Sequence, residues 1–134
     1  MAIDSSHGAG TRGGLVFKVL GRRVFLSAEF AVRVAPCPQV ARLPGAPPGL
    51  LGLALSEGVI LPIIELGVPR SAMIVCAHRG EEIGLVGLED IASGMFLSDG
   101  ALGVIASGEA VPPLDIESIY TRVHAVSWGA NWSG

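Results

Sequence analysis

The sequence predicts an all-β domain, on three observations. Apolar runs are short, about six residues, and each ends at glycine, proline or small polar residues. Only one segment keeps a 3.6-residue period long enough for a helix. Half of the 134 residues are hydrophobic, yet the aromatics number only four Phe, two Trp and one Tyr, so the strands must pack an aliphatic core.

Taken in order, residues 1–13 are small and polar, too poor in apolar side chains to offset the entropy of ordering, and read as a flexible leader. Leu15 to Leu20 and Arg23 to Ser27 flank Gly21-Arg22, a hairpin turn, and Phe30 to Ala35 alternates with Phe30, Val32 and Val34 on one face. Those three segments predict a meander. Five prolines between Pro36 and Pro48 make that stretch an irregular connection with one brief strand at most. Met73 to His78 and Glu82 to Leu88 flank Arg79-Gly80, while Gly103 to Ala106 and Ala110 to Leu114 flank Ser107-Gly108, giving two more hairpins and nine or ten strands in all. From Asp115 to Val123 a capping acid precedes Ile116, Ile119, Tyr120 and Val123 at helical spacing, so one short amphipathic helix is expected. The domain spans residues 14–122, and residues 123–134 form a tail whose Trp128 and Trp132 either dock on the barrel or stay exposed.

Several function classes are excluded by what the chain lacks. The longest apolar stretch, Leu50 to Leu66, is broken by Ser56-Glu57-Gly58 and Pro62, short of the roughly 20 apolar residues of a membrane helix. With no export signal the protein is expected in the cytoplasm, without direct membrane insertion. Nine scattered basic residues and a net charge of −3 give no stripe for nucleic acid. His7, His78 and His124 have no metal-ligand spacing, and Cys37 and Cys76, which could form one disulfide, are expected to be free. Gly-rich segments lack the Lys-Ser/Thr of a phosphate loop, and Glu81-Glu82 and Glu89-Asp90 sit where solvated charge is ordinary. No catalytic residue and no metal or cofactor site is assigned. A catalyst-poor apolar barrel is the profile of a binding module.

Leu43 to Gly67 resembles the signature of the CheW family of chemotaxis coupling proteins, in which a proline loop leads into "GxxNLRGxxxPxxDL"; the matches are Gly52, Gly58, Pro62, Glu65 and Leu66. Val16 and Phe17 fall at the family's "FxVF" positions and Val34 on its "VxEV" strand. MIVCAHRGEEIGLVGLEDI resembles the hairpin and "VDxV" segment, and Val111 to Tyr120 the final strand and "DxExL" helix start. The likeness covers residues 15 to 122. It implies two small SH3-like five-stranded β-barrel subdomains sharing an apolar interface, with one short helix near the C-terminus and no cofactor. The implied role is a non-enzymatic signal-transduction adaptor, recruited to receptor arrays, that couples the regulatory domain of a CheA-type histidine kinase in a two-component system to the tips of methyl-accepting chemoreceptors. By matching positions the kinase face includes Ala31, Gly52 and Ile60, and the receptor groove includes Ala28, Arg33 and Val34.

The chain departs from the family in two respects. The stretches between Gly67 and Met73 and between Ile91 and Gly103 are clipped, which predicts a reduced second subdomain. Glu57 stands at the Arg of "NLRG" and Arg33 at the Glu of "VxEV", so both charges are inverted. Two readings stand: an ion pair with its polarity reversed, or two unrelated surface residues. Beside the coupler, two other functions remain open. One is a divergent CheW-like protein that has lost one partner surface and acts as a competitor or recruits another assembly. The other is a small thiol- or ligand-binding barrel using Cys76.

Overall fold

The computed structural model describes residues 10–46, 49–68 and 71–125. Residues 1–9 and 126–134, carrying His7, Trp128, Trp132 and most of the expected leader and tail, lie outside the described residues. The strands are β1 (Thr11–Val19), β2 (Arg22–Ser27), β3 (Ala31–Pro36), β4 (Ala41–Arg42), β5 (Leu50–Ser56), β6 (Val59–Glu65), β7 (Ala72–His78), β8 (Glu81–Val86), β9 (Glu89–Ser98), β10 (Val104–Ala106) and β11 (Glu109–Val111), followed by helix α1 (Ile116–Ala125).

They form two curled sheets, ordered β11-β10-β9-β1-β2 and β3-β7-β8-β6-β5-β4. The first draws on both ends of the described chain, the second on its middle. The first closes on itself because the Phe25 N–H donates to Pro112 O (2.9 Å) and the Leu114 N–H donates to Phe25 O (2.8 Å), which brings the residues after β11 alongside β2. Its interior holds Val16, Phe25, Val104, Ala106 and Val111. The second sheet encloses Leu51, Leu61, Ile63, Met73, Val75 and Val86. Between the two lies the largest core, where Leu15, Phe17 and Leu26 meet Ile74, Cys76 and Leu85, with the apolar face of α1 against its flank.

Four hairpins turn on two residues, Leu20-Gly21, Glu57-Gly58, Arg79-Gly80 and Ser107-Gly108, with φ positive at both. That is the type I′ geometry, whose twist matches the strands it joins, and glycine supplies the second position without a Cβ penalty. The first turn therefore sits one residue earlier than Gly21-Arg22. Helix α1 starts as the sequence predicts, with the Ser118 N–H donating to Asp115 Oδ1 (3.0 Å). It docks through Tyr120, whose hydroxyl lies 3.1 Å from Cys76 O and 2.9 Å from Glu81 O. No helix among the described residues is long and apolar enough to cross a membrane.

Other expectations are corrected. β1 begins at Thr11, inside the assigned leader, because Thr11, Arg12 and Gly13 pair with Leu97, Phe96 and Met95. α1 continues past residue 122 to Ala125, since Val123 still packs on the core. β3 leaves the meander: it pairs with β7 in the other sheet, and a bulge between Ala31 and Arg33 changes its register. Val32 and Val34 share a face as expected, and it is the outer one, with Arg33 turned inward; Phe30, before the bulge, packs on the shared core instead. The second sheet adds to five longer strands the two-residue β4, the one brief strand allowed for the proline-rich connection. The stretch after Ile91 holds most of β9, and the short elements of that sheet are β10 and β11, three residues each.

Leu85 is fully buried in the shared core whereas Leu55 is two-thirds exposed. Leu85→Ala should cost about 2–5 kcal/mol in urea unfolding. Leu55→Ala should leave the midpoint almost unchanged.

Candidate protein-docking surfaces

Two of the exposed apolar surfaces bear on the residues singled out in the sequence. The first is a groove at the junction of the barrels, where β1 and β9 of one meet β3 of the other. The turn after β2 places it there. Its Ala28 N–H donates to Gly13 O (2.9 Å), and the Ala77 N–H donates to Phe30 O (2.8 Å), so the crossing chain is tied to both sheets. The groove encloses about 460 Å³. Its floor is small-residue surface, Gly13, Gly14, Ala28, Ala31, Ser93 and Gly94, and its sides are Val32, Val34 and Met95 with Arg33 at one margin. Val34 and Met95 are 48% and 66% exposed.

Ala28, Arg33 and Val34, the three residues assigned to the receptor groove, all line this one. Ala31, assigned to the kinase face, lines it too. Sequence reasoning missed Met95 and Gly94 because it treated the segment after Ile91 as a shortened connection. The visible signal was the run Ile91 to Leu97, which carries no charge and no proline.

The second surface is the β5–β6 hairpin. Leu55 and Ile60 are cross-strand partners, both 66% exposed, and with Val59 they present an apolar tip. Beside them a groove of about 550 Å³ runs past Val40 and Ala41. Gly52, on the same hairpin, is buried under β4: it pairs with Arg42, and a Cβ there would fall 2.1 Å from Ala41 O. Ala31, Gly52 and Ile60 thus do not share a face. Ile60 remains on the surface, and its companions are Leu55 and Val59.

Arg33 and Glu57 do meet. Arg33 Nε lies 3.4 Å from Glu57 Oε2, and Arg33 Nη2 donates to Ser56 Oγ (2.9 Å). The guanidinium is the better buried partner, at 23% exposure against 73% for the carboxylate. Arg33 Nε approaches the carboxylate without hydrogen-bond alignment, so the ion pair is a charge contact. Its geometry ties edge strand β3 to the β5–β6 turn, the gap across which the second barrel closes. An ion pair this open contributes about 0–1 kcal/mol. Glu57 also occupies a left-handed turn position, φ 49°, which costs a residue with a Cβ about 1–2 kcal/mol. Stability alone therefore does not explain a glutamate at this position.

Cys76 is held out of thiol chemistry. Both cysteines are free, and Cys76 is fully buried in the shared core, where loss of solvation pushes its pKa up to about 12. A thiol held neutral is not a nucleophile. His78 is wedged between the rings of Phe30 and Tyr120 with Nε2 2.8 Å from Glu117 Oε2, and His124 pairs with Glu81, so both fasten α1 to the barrel. No group of three His, Cys, Asp or Glu that could hold a metal occurs among the described residues.

No protein-family model matches the chain, and no curated protein matches it. Among solved structures, the crystal structure of scaffolding protein TtCheW from Thermoanaerobacter tengcongensis superposes with a TM-score of 0.58, covering 75% of this chain and 86% of that one. The fold is CheW-like. At 14% sequence identity the likeness is one of backbone architecture.

Two measurements follow from these surfaces. At pH 8 a disulfide reagent such as Ellman's should leave Cys76 unmodified in the native protein and modify it once the chain is denatured. For the charge pair, Arg33→Glu and Glu57→Arg should each lower the thermal midpoint, more at Arg33 because its Ser56 bond is lost as well. The double exchange should recover most of the loss, and the coupling should fade in molar salt. Four equal midpoints would remove the bridge.

Proposed function

We propose that this chain is a non-enzymatic cytoplasmic adaptor of the CheW type, coupling a CheA-type histidine kinase to chemoreceptors by docking alone. The observation that carries the reading is the convergence of Ala28, Arg33 and Val34 in one groove at the barrel junction. A floor of glycine, alanine and serine lets a helix backbone approach closely, and Val32, Val34 and Met95 offer side-chain contact along its length. A receptor's helical hairpin is the occupant such a groove suits. The β5–β6 tip, with Leu55, Val59 and Ile60 exposed, is the surface offered to the kinase regulatory domain.

A second reading has its own support: a CheW-like chain reduced to one partner surface, acting as a competitor or recruiting another assembly. The residues assigned to the kinase face do not gather, since Ala31 lies in the receptor groove and Gly52 lies under β4. The charge reversal at Arg33 and Glu57 favours a dedicated partner, because a misplaced like charge disfavours the wrong one.

Calorimetric titration against a purified receptor-tip hairpin and a purified kinase regulatory domain separates the readings. For the coupler, Val34→Asp should weaken receptor binding at least tenfold and spare the kinase, and Ile60→Asp should do the reverse. Binding of the receptor alone, unaffected by Ile60→Asp, supports the reduced form. Binding of neither sinks both.

A further inference from the structure

The first barrel is closed for only part of its length. β9 is paired with β1 from Leu97 back to Glu89, but on its other edge β10 meets it only at Val104↔Ser98 and Ile105↔Leu97. The Ser98 N–H donates to Gly10 O (2.7 Å). In an antiparallel ladder these groups alternate, so those of Phe96, Gly94 and Ala92 point at β1 while those of Met95 and Ser93 point away. Their N–H and C=O groups have no partner among the described residues.

The gap has a cause in the sequence. β10 is three residues long, and Arg23 draws its hairpin toward β2: Nη1 donates to Ala106 O (3.2 Å) and to Glu109 Oε1 (3.0 Å). Leaning that way, the hairpin leaves a slot of about 450 Å³ beside the free edge. The slot is lined by apolar side chains, among them Val16, Ala92, Phe96 and Ile105. Its charged residues already pair, Lys18 with Asp90 at 3.5 Å and Arg23 with Glu109 at 3.0 Å, so it offers a polar ligand little.

We propose that the free edge of β9 is a strand-addition site for an extended peptide with apolar side chains at alternate positions. The backbone of the incoming strand satisfies Ser93 and Met95, and every second side chain enters the slot between Ala92, Phe96 and Ile105. The devices that keep natural edges from pairing are confined to the start of β9, where Glu89 and Asp90 are acidic and a bulge shifts the register; residues 91–96 include no lysine, no proline and no inward charge. A second copy of this chain fits poorly. Its own β9 would bring Ala92 and Gly94 to a slot that needs larger side chains. One added strand pair also falls far short of the roughly 1,200 Å² that a stable interface buries. The site is separate from the β5–β6 tip but adjoins the junction groove, which Ser93 and Met95 also line; the peptide titration tests the strand site whether or not a receptor hairpin binds that groove.

The probe is a fluorescein-labelled peptide of alternating valine and threonine, titrated into the full chain by anisotropy. Its control is the same peptide N-methylated on alternate amides. Saturable binding of the plain peptide is expected, with at least a tenfold loss for the methylated one. Amide exchange at Ser93 and Met95 should be fast in the free protein and slow on addition of the plain peptide. Ser93→Pro, which deletes an N–H that β1 does not use, should abolish binding at an unchanged thermal midpoint. Should that variant not fold, Ala92→Lys fills the slot instead and should weaken binding at least tenfold. Equal affinity for both peptides, or full binding by these variants when folded, overturns the proposal. So does the absence of saturable binding, or a dimer in sedimentation that Ser93→Pro dissolves, which would make a second copy the occupant.

Discussion

The molecule depends on a hairpin buried on both faces. In β7, Met73 and Val75 enter the second barrel while Ile74 and Cys76 enter the core shared with the first, and β8 repeats the division with Val86 on one side and Ile83 and Leu85 on the other. A strand buried twice must be apolar at successive positions, which is why MIVC and IGLV read as unbroken runs. Gly84 lets β8 pack closely inside the second barrel: a Cβ there would fall 2.6 Å from Met73 Sδ and 2.8 Å from Ile63 Cδ1. Because one hairpin walls both the second barrel and the core it shares with the first, neither barrel is an independent unit, and α1 adds to that shared core through Tyr120 and its bond to Cys76 O.

That shared wall decides what remains exposed. Once the chain crosses after Ser27 to lay β3 against β7, the outer face of β3 borders β1 and β9, and a groove forms where the two curvatures diverge. The crossing explains why the valines of β3 are outside. The bulge after Ala31 turns Arg33 toward the Ser56-Glu57 turn, leaving Val32 and Val34 to solvent. The proposed docking rests on that apolar strand face being left uncovered. The Arg33–Glu57 pair lies between this groove and the β5–β6 tip, linking the elements that carry the two apolar surfaces.

Where sequence reasoning succeeded, the signal was local. Arg79-Gly80 and Ser107-Gly108 form the expected turns because the left-handed pair needs glycine second, whatever surrounds it. The start of α1 at Asp115 and its apolar face follow from capping and a 3.6 period. Where it failed, the deciding partner was distant. Thr11 to Gly13 look like leader until Met95 to Leu97 lie opposite, and β9 looks like a shortened connection until β1 supplies its ladder.

By itself, then, the sequence determined an all-β chain with an aliphatic core, one short helix, turns at Arg79-Gly80 and Ser107-Gly108, and a family resemblance that nominated Ala28, Arg33 and Val34 and raised a pairing of Arg33 with Glu57 as one of two readings. These depend on side-chain periodicity, backbone freedom at glycine, and motif spacing, all written along the chain. Only the tertiary structure decided which strands share a sheet, which face of β3 is wet, that Gly52 lies under β4 while Ile60 does not, and that Met95 completes the groove. Those depend on register and on a one-residue bulge. A shift of one residue reverses every side chain in a strand, and no local pattern records which neighbour sets it.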